Sequence, residues 1–307
     1  MNVRLRALRV LAWPLGLAAL AASIVVFALT ADLEALRATW RAAASAPAEL
    51  LAVLVAFGLA FLVRALTWSR VVPGLHPAHA LAAIHVSLAG NHLLPLRLGE
   101  ALRVTSAVRR SGIPVRTATA STVMLRGADL VAALGLAALL GPRVIGAVAG
   151  PATWLVLGAG AGVWVGGLLW LRRRASSARA GGLRPSVALV ALGATAAWVL
   201  ESVLVWRAAQ WAGLELGFRD AVVVTAVTIV AQVLAVAPGG VGTYEAGAVG
   251  ALVALGAEAD QALAAALTAH ALTTGYALLA GAVAVLLPAA VPERGRGRLA
   301  TDAPGPG

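Results

Sequence analysis

The chain has 307 residues, 61% of them hydrophobic and 12% charged, with a formal net charge of +11 and no cysteine. A soluble domain devotes about 25% of its residues to charge, so this composition, with a mean hydropathy of +0.89, excludes a water-soluble globular protein. The missing cysteines exclude disulfides, thiolate metal sites and thiol catalysis. Every basic residue is arginine. The arginines lie beside apolar runs, as topology-setting charges that touch anionic head groups do, which argues against a nucleic-acid partner.

Arg4, Arg6 and Arg9 precede an apolar run at 10–30. The run is longer than the core of a cleaved signal peptide, which predicts a retained first span. Further apolar segments lie at 48–68, 78–95, 117–141, 152–171, 186–206, 219–237 and 261–288. About 20 such residues cross roughly 30 Å of hydrocarbon. Read as eight plain spans, they would place Arg97, Arg103, Arg109, Arg110 and Arg116 outside, against the excess of arginine on cytoplasmic loops. The conflict disappears if 78–110 enters from the cytoplasm, turns near Pro95 and returns. The segment 117–141 then crosses outward and 152–171 comes back, so that Arg172, Arg173, Arg174, Arg179 and Arg184 are inside. After 186–206 crosses outward, 219–256 enters from outside, turns at Pro238-Gly239-Gly240 and leaves near Glu258 and Asp260. The last span, 261–288, leads to a disordered cytoplasmic tail at 289–307.

The expected architecture is a single membrane domain over 1–307. It is an all-α integral membrane protein of about six transmembrane helices plus two re-entrant helical hairpins, with both termini cytoplasmic. The hairpins also echo each other, because one interval carries both Pro95 to Pro238 and Gly99 to Gly242. This predicts inverted repeats at 48–141 and 186–288, joined by a connecting span and Arg-rich linker at 142–185. Matching breaks of Pro and Gly in two hydrophobic halves are the sequence pointer to a transporter site near the midplane.

Broken helices free backbone groups that are tolerated only against protein or a wet cavity. Pro95 and Pro238 are expected to end one arm of each hairpin. Gly239, Gly240 and Gly242 would allow positive φ and close backbone approach, and the returning arms would begin near Gly99 and Thr243. Helix amino termini placed there attract anions. Ionisable residues inside apolar segments are costly unless paired. Glu100 with Arg103, and Arg126 with Asp129, share helix faces at i, i+3 spacing. Arg64 lies near the inner end of its span, where snorkelling is an equal explanation. Glu201, Glu245 and His270 carry polarity into the second half, and Asn91, His92 and Gln232 flank the breaks. Trp40, Trp68, Trp154, Trp170 and Trp206 fall at expected interfaces. His76, His79, His85 and His92 have no evident carboxylate partner, so no metal site is expected, and no Walker loop or dinucleotide fingerprint occurs. No cofactor is expected.

The run Asn91-x-x-x-Pro95-x-Arg97-x-Gly99-Glu100, and the run Pro238-Gly239-Gly240-x-Gly242-x-x-Glu245, together resemble the lysylphosphatidylglycerol synthase transmembrane region, the flippase-like domain family. The resemblance covers nearly the whole chain and includes Arg64-x-x-x-Trp68, Arg126 and Asp129. Leu125 stands where relatives carry Glu, and Ala269-His270 where they often carry Tyr-Arg. The resemblance implies a membrane domain that moves a lipid between leaflets. A chain ending at Gly307 is expected to lack the aminoacyl transferase domain of the bifunctional members.

The leading expectation is a flippase-like transporter of the cell membrane, without enzymatic activity, for an anionic phospholipid or a polyprenyl-phosphate-linked lipid. Arg97, Arg103 and Arg126 would hold the phosphate, with Glu100, Asp129, Glu201 and Glu245 as balancing charges. Two alternatives stay open: an integral membrane enzyme acting on a lipid head group with Glu100 or Glu245 as base, and a non-catalytic partner of a cell-envelope enzyme. A homo-oligomer is open as well.

Overall fold

The computed structural model describes residues 3–95, 98–149 and 186–286, with isolated positions between 158 and 183. Arg97, most of the expected span at 152–171 and the tail at 289–307 lie outside the described residues. Those described are helical, with no strand among them. The helices are α1 (Val3–Thr30), α2 (Leu33–Ser45), α3 (Pro47–Val71), α4 (Pro77–Leu93), α5 (Gly99–Ser111), α6 (Val115–Leu140) and α7 (Pro142–Ala149). After the linker come α8 (Val187–Trp211), α9 (Phe218–Ala231), α10 (Thr243–Ala254) and α11 (Ala259–Leu286).

Five segments among the described residues are long and apolar enough to cross a membrane: Trp13–Thr30 of α1, and α3, α6, α8 and α11. Their outward sides carry Leu29, Leu51, Leu192, Leu279 and Leu286, all exposed, as a lipid-facing surface requires. Their inward sides are dominated by small residues such as Ala60, Ala65, Ala133, Ala197 and Ala208. Small side chains let helix backbones approach closely where no hydrophobic drive separates protein from lipid. The chain is an all-α integral membrane protein.

Between these long helices lie two helical hairpins, α4 packed on α5 and α9 packed on α10. Their arms have 17 and 13 residues in the first and 14 and 12 in the second. At 1.5 Å per residue they reach about 18–26 Å, short of the roughly 30 Å of a bilayer core. The first hairpin breaks where Leu94, ahead of Pro95, is extended with ψ 141°, the conformation a following proline imposes. Gly99 then opens α5 against α4. A Cβ there would stand 2.1 Å from the Ser87 carbonyl oxygen and 2.5 Å from Asn91 Oδ1, so only glycine lets the arms close.

The second break differs from its expected form. The first arm stops at Ala231, seven residues before Pro238, because Gln232–Leu234 tighten into a 3-10 turn and Ala235 is extended. Pro238 opens a second 3-10 turn rather than ending a helix. Gly239, Gly240 and Gly242 follow with φ of 69°, 74° and 85°, a left-handed run that residues with a Cβ would resist.

Two elements had no counterpart in the sequence reading. The stretch between the first two apolar segments is largely α2, whose amino terminus is capped by Asp32 Oδ1 accepting from the Glu34 and Ala35 amides at 2.8 and 3.3 Å. The other is the short α7. The first helix also does more than anchor the chain. Gly16 is buried between both breaks: a Cβ there would lie 2.7 Å from Pro95 Cβ and 3.6 Å from Pro238 Cδ. Two turns further on, the Ser23 hydroxyl donates to the Ala19 carbonyl at 2.8 Å and approaches that of Val241 at 3.4 Å. The two hairpin tips therefore meet on one face of α1.

Candidate functional site

Behind the two tips is a cavity of about 330 Å³. Phe57, Phe61, Leu88, Leu204, Val205 and Ile229 form apolar walls, while Asn91, Gln232, Thr225, Thr228 and Thr273 add polar groups that carry no charge. An ionic group shares the lining: Arg64, Glu100, Arg103, Arg126, Asp129 and Glu201. Three arginines face three carboxylates, so the set is formally neutral.

Their pairing is an alternating chain across four helices. Glu100 on α5 accepts from Arg126 on α6, whose Nε stands at 2.8 Å and whose Nη2 is also bonded to the same oxygen. Arg126 Nη1 donates to Asp129 Oδ2 at 3.2 Å. The other oxygen of Asp129 accepts from Arg64 Nε on α3 at 3.3 Å, and Arg64 Nη1 is paired with Glu201 on α8. Charges in so apolar a setting persist only when each has an opposite neighbour and further hydrogen bonds. Arg64 is buried within this chain and stacks over the Trp198 ring at 4.4 Å, which answers the snorkelling question in favour of an internal role. Trp198 Nε1 in turn donates to the Asp129 carbonyl at 2.8 Å, tying α8 to the backbone of α6.

Arg103 is the least satisfied member. Its side chain is 2% exposed, its Nη1 is 4.0 Å from Glu100 Oε2, and its Nε has no hydrogen-bond partner. It lies over the Trp68 ring at 4.2 Å. Trp68 itself is 0% exposed and donates to Ser121 Oγ at 2.9 Å. This corrects its expected place at a membrane interface: it is a buried platform for an arginine. Arg126 and Glu100 are the most accessible pair, with side chains 37% and 30% exposed.

A second polar group lies at the other tip. His270 Nδ1 is 2.6 Å from Glu245 Oε1, and His270 Nε2 is 3.1 Å from the Gly239 carbonyl oxygen. The Gly242 amide donates to Glu245 Oε2 at 2.7 Å. The amino terminus of α10 thus already holds a carboxylate, so the anion expected at this helix end is the protein's own Glu245. Tyr244 stacks on His270 at 4.4 Å, and His92 of α4 is 6.2 Å from it.

Of the residues singled out in the sequence, Arg64, Asn91, Glu100, Arg103, Arg126, Asp129, Glu201, Gly239, Gly240 and His270 line the cavity. Pro95, Gly99, Pro238 and Gly242 shape the tips without lining it, and Glu245 stands behind His270. Trp198 and Tyr244 were missed, as were the aromatic walls Phe57 and Phe61. Trp198, Phe57 and Phe61 sit in apolar helices among residues of the same kind, and only their neighbours in space distinguish them, whereas Tyr244 lies beside Glu245 at the start of α10. His85 is explained by a hydrogen bond to the Tyr276 hydroxyl at 3.0 Å. Among the described residues no cluster of His and acidic side chains could hold a metal ion.

Fold and site together define an all-helical integral membrane protein built around an ion-paired internal cavity. The description of the lysylphosphatidylglycerol synthase TM region matches residues 15–281, and the chain belongs to that family. No curated protein and no solved structure matches it. Membership relates the protein to lipid handling.

Proposed function

We propose that this protein is a transporter, not an enzyme, and that it moves a lipid with an anionic head group between the leaflets of the cell membrane. An anionic phospholipid and a polyprenyl-phosphate-linked lipid both have the required chemistry, a phosphate on an apolar chain. The observation that carries this reading is the Arg126–Glu100 pair, the accessible end of an otherwise buried ionic chain. A phosphate entering the cavity can take the place of Glu100 on Arg126, as one oxyanion exchanges for another. Arg64, Asp129 and Glu201 stay paired and hold Arg126 in position. The apolar walls accommodate the first methylenes of the lipid chains while the rest remains in the bilayer.

In this reading both termini are cytoplasmic and the hairpins are re-entrant from opposite faces, as inverted repeats at 48–141 and 186–288. Their tips would then stop near the midplane with α1 laid across them. The test is a leaflet-resolved lipid assay in proteoliposomes. Arg126→Ala should lose movement because the phosphate has lost its cation. Glu100→Gln should slow it, because an arginine without its resident carboxylate retains the phosphate. If both variants, present at parental levels, move lipid as fast as the parent, this site assignment is wrong.

A further inference from the structure

His270 poses a problem of proton counting. A neutral imidazole has one N–H and one lone pair, yet both ring nitrogens of His270 face acceptors. The Gly239 carbonyl can only accept, so Nε2 must donate to it at 3.1 Å. Nδ1 then meets Glu245 Oε1 at 2.6 Å, and that contact needs a second proton between the two groups. Glu245 Oε2 is already engaged by the Gly242 amide. With both contacts made as hydrogen bonds, the pair holds one proton more than a neutral histidine and a carboxylate would. It does so with side chains only 6% and 4% exposed.

From this geometry we infer that His270 and Glu245 form an exchangeable proton-binding site that locks the second hairpin tip through Gly239. When the proton leaves through the cavity, one N–H remains on the ring. The Glu245 carboxylate draws it to Nδ1, because an anion is the stronger acceptor. Nε2 then presents a lone pair to the Gly239 carbonyl oxygen, and the hydrogen bond becomes a repulsion. Gly239 belongs to the left-handed run Gly239, Gly240 and Gly242, whose permissive backbone can respond. Rebinding a proton restores the donor and closes the tip.

The surroundings contain little else that could supply or compensate this proton. From α10 the ring faces Tyr244 and Glu245, and from α4 it faces His92. On α8 the titratable group lining the same cavity is Glu201, already paired with Arg64. The helix α2 also packs on α11, but it turns Thr39 and Ala43 inward and leaves Glu34, Arg37 and Arg41 exposed. No described cation is paired with Glu245, so the proton is what neutralises it. Coupling of this proton to lipid movement rests on the transport reading, whereas the binding site does not.

The test has two arms. In the first, the full chain is labelled with 15N histidine and placed in lipid nanodiscs, and its five histidines are followed from about pH 5 to about pH 9. His270→Asn identifies the relevant signal. At low pH that signal should report two protonated nitrogens, or one plus a strongly deshielded shared proton, and a single N–H at high pH. Glu245→Gln should abolish the shared-proton signal, because the histidine has lost the anion that holds that proton. A signal unchanged across the range, or one that Glu245→Gln leaves as it is, overturns the site.

In the second arm, lipid movement is followed in proteoliposomes with and without an imposed pH gradient. The parent should respond to the gradient and His270→Gln should not. A parent that moves lipid identically with and without the gradient overturns the coupling and leaves the transport reading intact. A titrating His270 in a protein that moves no lipid supports the proton site and overturns the transport reading.

Discussion

The Arg64 guanidinium reaches Asp129 at 3.3 Å across 65 residues of sequence. Asp129 gives its second oxygen to Arg126, so one carboxylate separates two cations, buried Arg64 and partly exposed Arg126. Asp129→Asn removes the only charge between them. Breaking a buried pair from one side costs about 3–5 kcal/mol, and the purified variant should show a clearly lower thermal midpoint than the parent. The exposed pair of Arg207 and Glu49 is the control. Glu49 is half exposed, and pairs of this kind contribute roughly 0–1 kcal/mol, so Glu49→Gln should leave the midpoint almost unmoved. A parental midpoint in Asp129→Asn would show that the ionic chain does not hold these helices together.

What the sequence conveyed of this chain depended on distance along it. Arg126 and Asp129 are three residues apart on one helix, so their pairing follows from helical geometry. The starts of α5 and α10 at Gly99 and Thr243 were legible too, because proline and glycine act on the backbone within a few residues of themselves. Arg64 and Glu201 are 137 residues apart, and nothing local to either predicts their contact. The same holds for Trp198, which looks like an ordinary apolar residue until Asp129 is found beside it, and for the stacking of Tyr244 on His270. The premature end of α9 at Ala231 had no local signal. The run from Gln232 to Ala237 contains no helix breaker, and its departure from the helix is settled by packing at the tip.

Gly99→Ala tests whether the first hairpin needs its close approach. The added methyl would overlap the Ser87 carbonyl at 2.1 Å, a backbone atom that cannot rotate away. Overpacking of a tight contact costs typically about 1–3 kcal/mol, and here it also displaces Asn91 and Glu100. The variant should lose thermal stability and lipid movement together. Gly250→Ala in α10, where a Cβ meets nothing within 4 Å, should match or slightly exceed the parent in stability, since alanine is the better helix former.

Gly16→Val addresses the seat of α1 on the two tips. Its Cβ would collide with Pro95 at 2.7 Å, and branching would widen the clash toward Pro238. The effect should fall on α1 rather than on the bundle, because its described side chains, Trp13–Thr30, are otherwise mostly exposed. Limited proteolysis near 31–32, between α1 and α2, should accelerate, while the thermal midpoint of the remaining helices stays near the parental value. An unchanged cleavage rate would mean that α1 is held elsewhere.

The proposed re-entry of the hairpins from opposite faces can be decided by labelling, because the natural chain has no cysteine and any single replacement reports alone. Arg109 near the end of α5 and Glu258 between α10 and α11 are both exposed. If both hairpins return to the side they entered, Arg109→Cys faces the cytoplasm and Glu258→Cys faces outside. In intact cells an impermeant maleimide should modify Glu258→Cys and spare Arg109→Cys until the membrane is permeabilised. Eight plain spans would place Arg109 outside and make it reactive at once. Modification of Arg109→Cys in intact cells would therefore remove the re-entrant first hairpin. It would also remove the argument that Pro95 stops near the midplane, since α4 would then have to cross the bilayer alone with 17 residues, fewer than the about 20 a crossing needs.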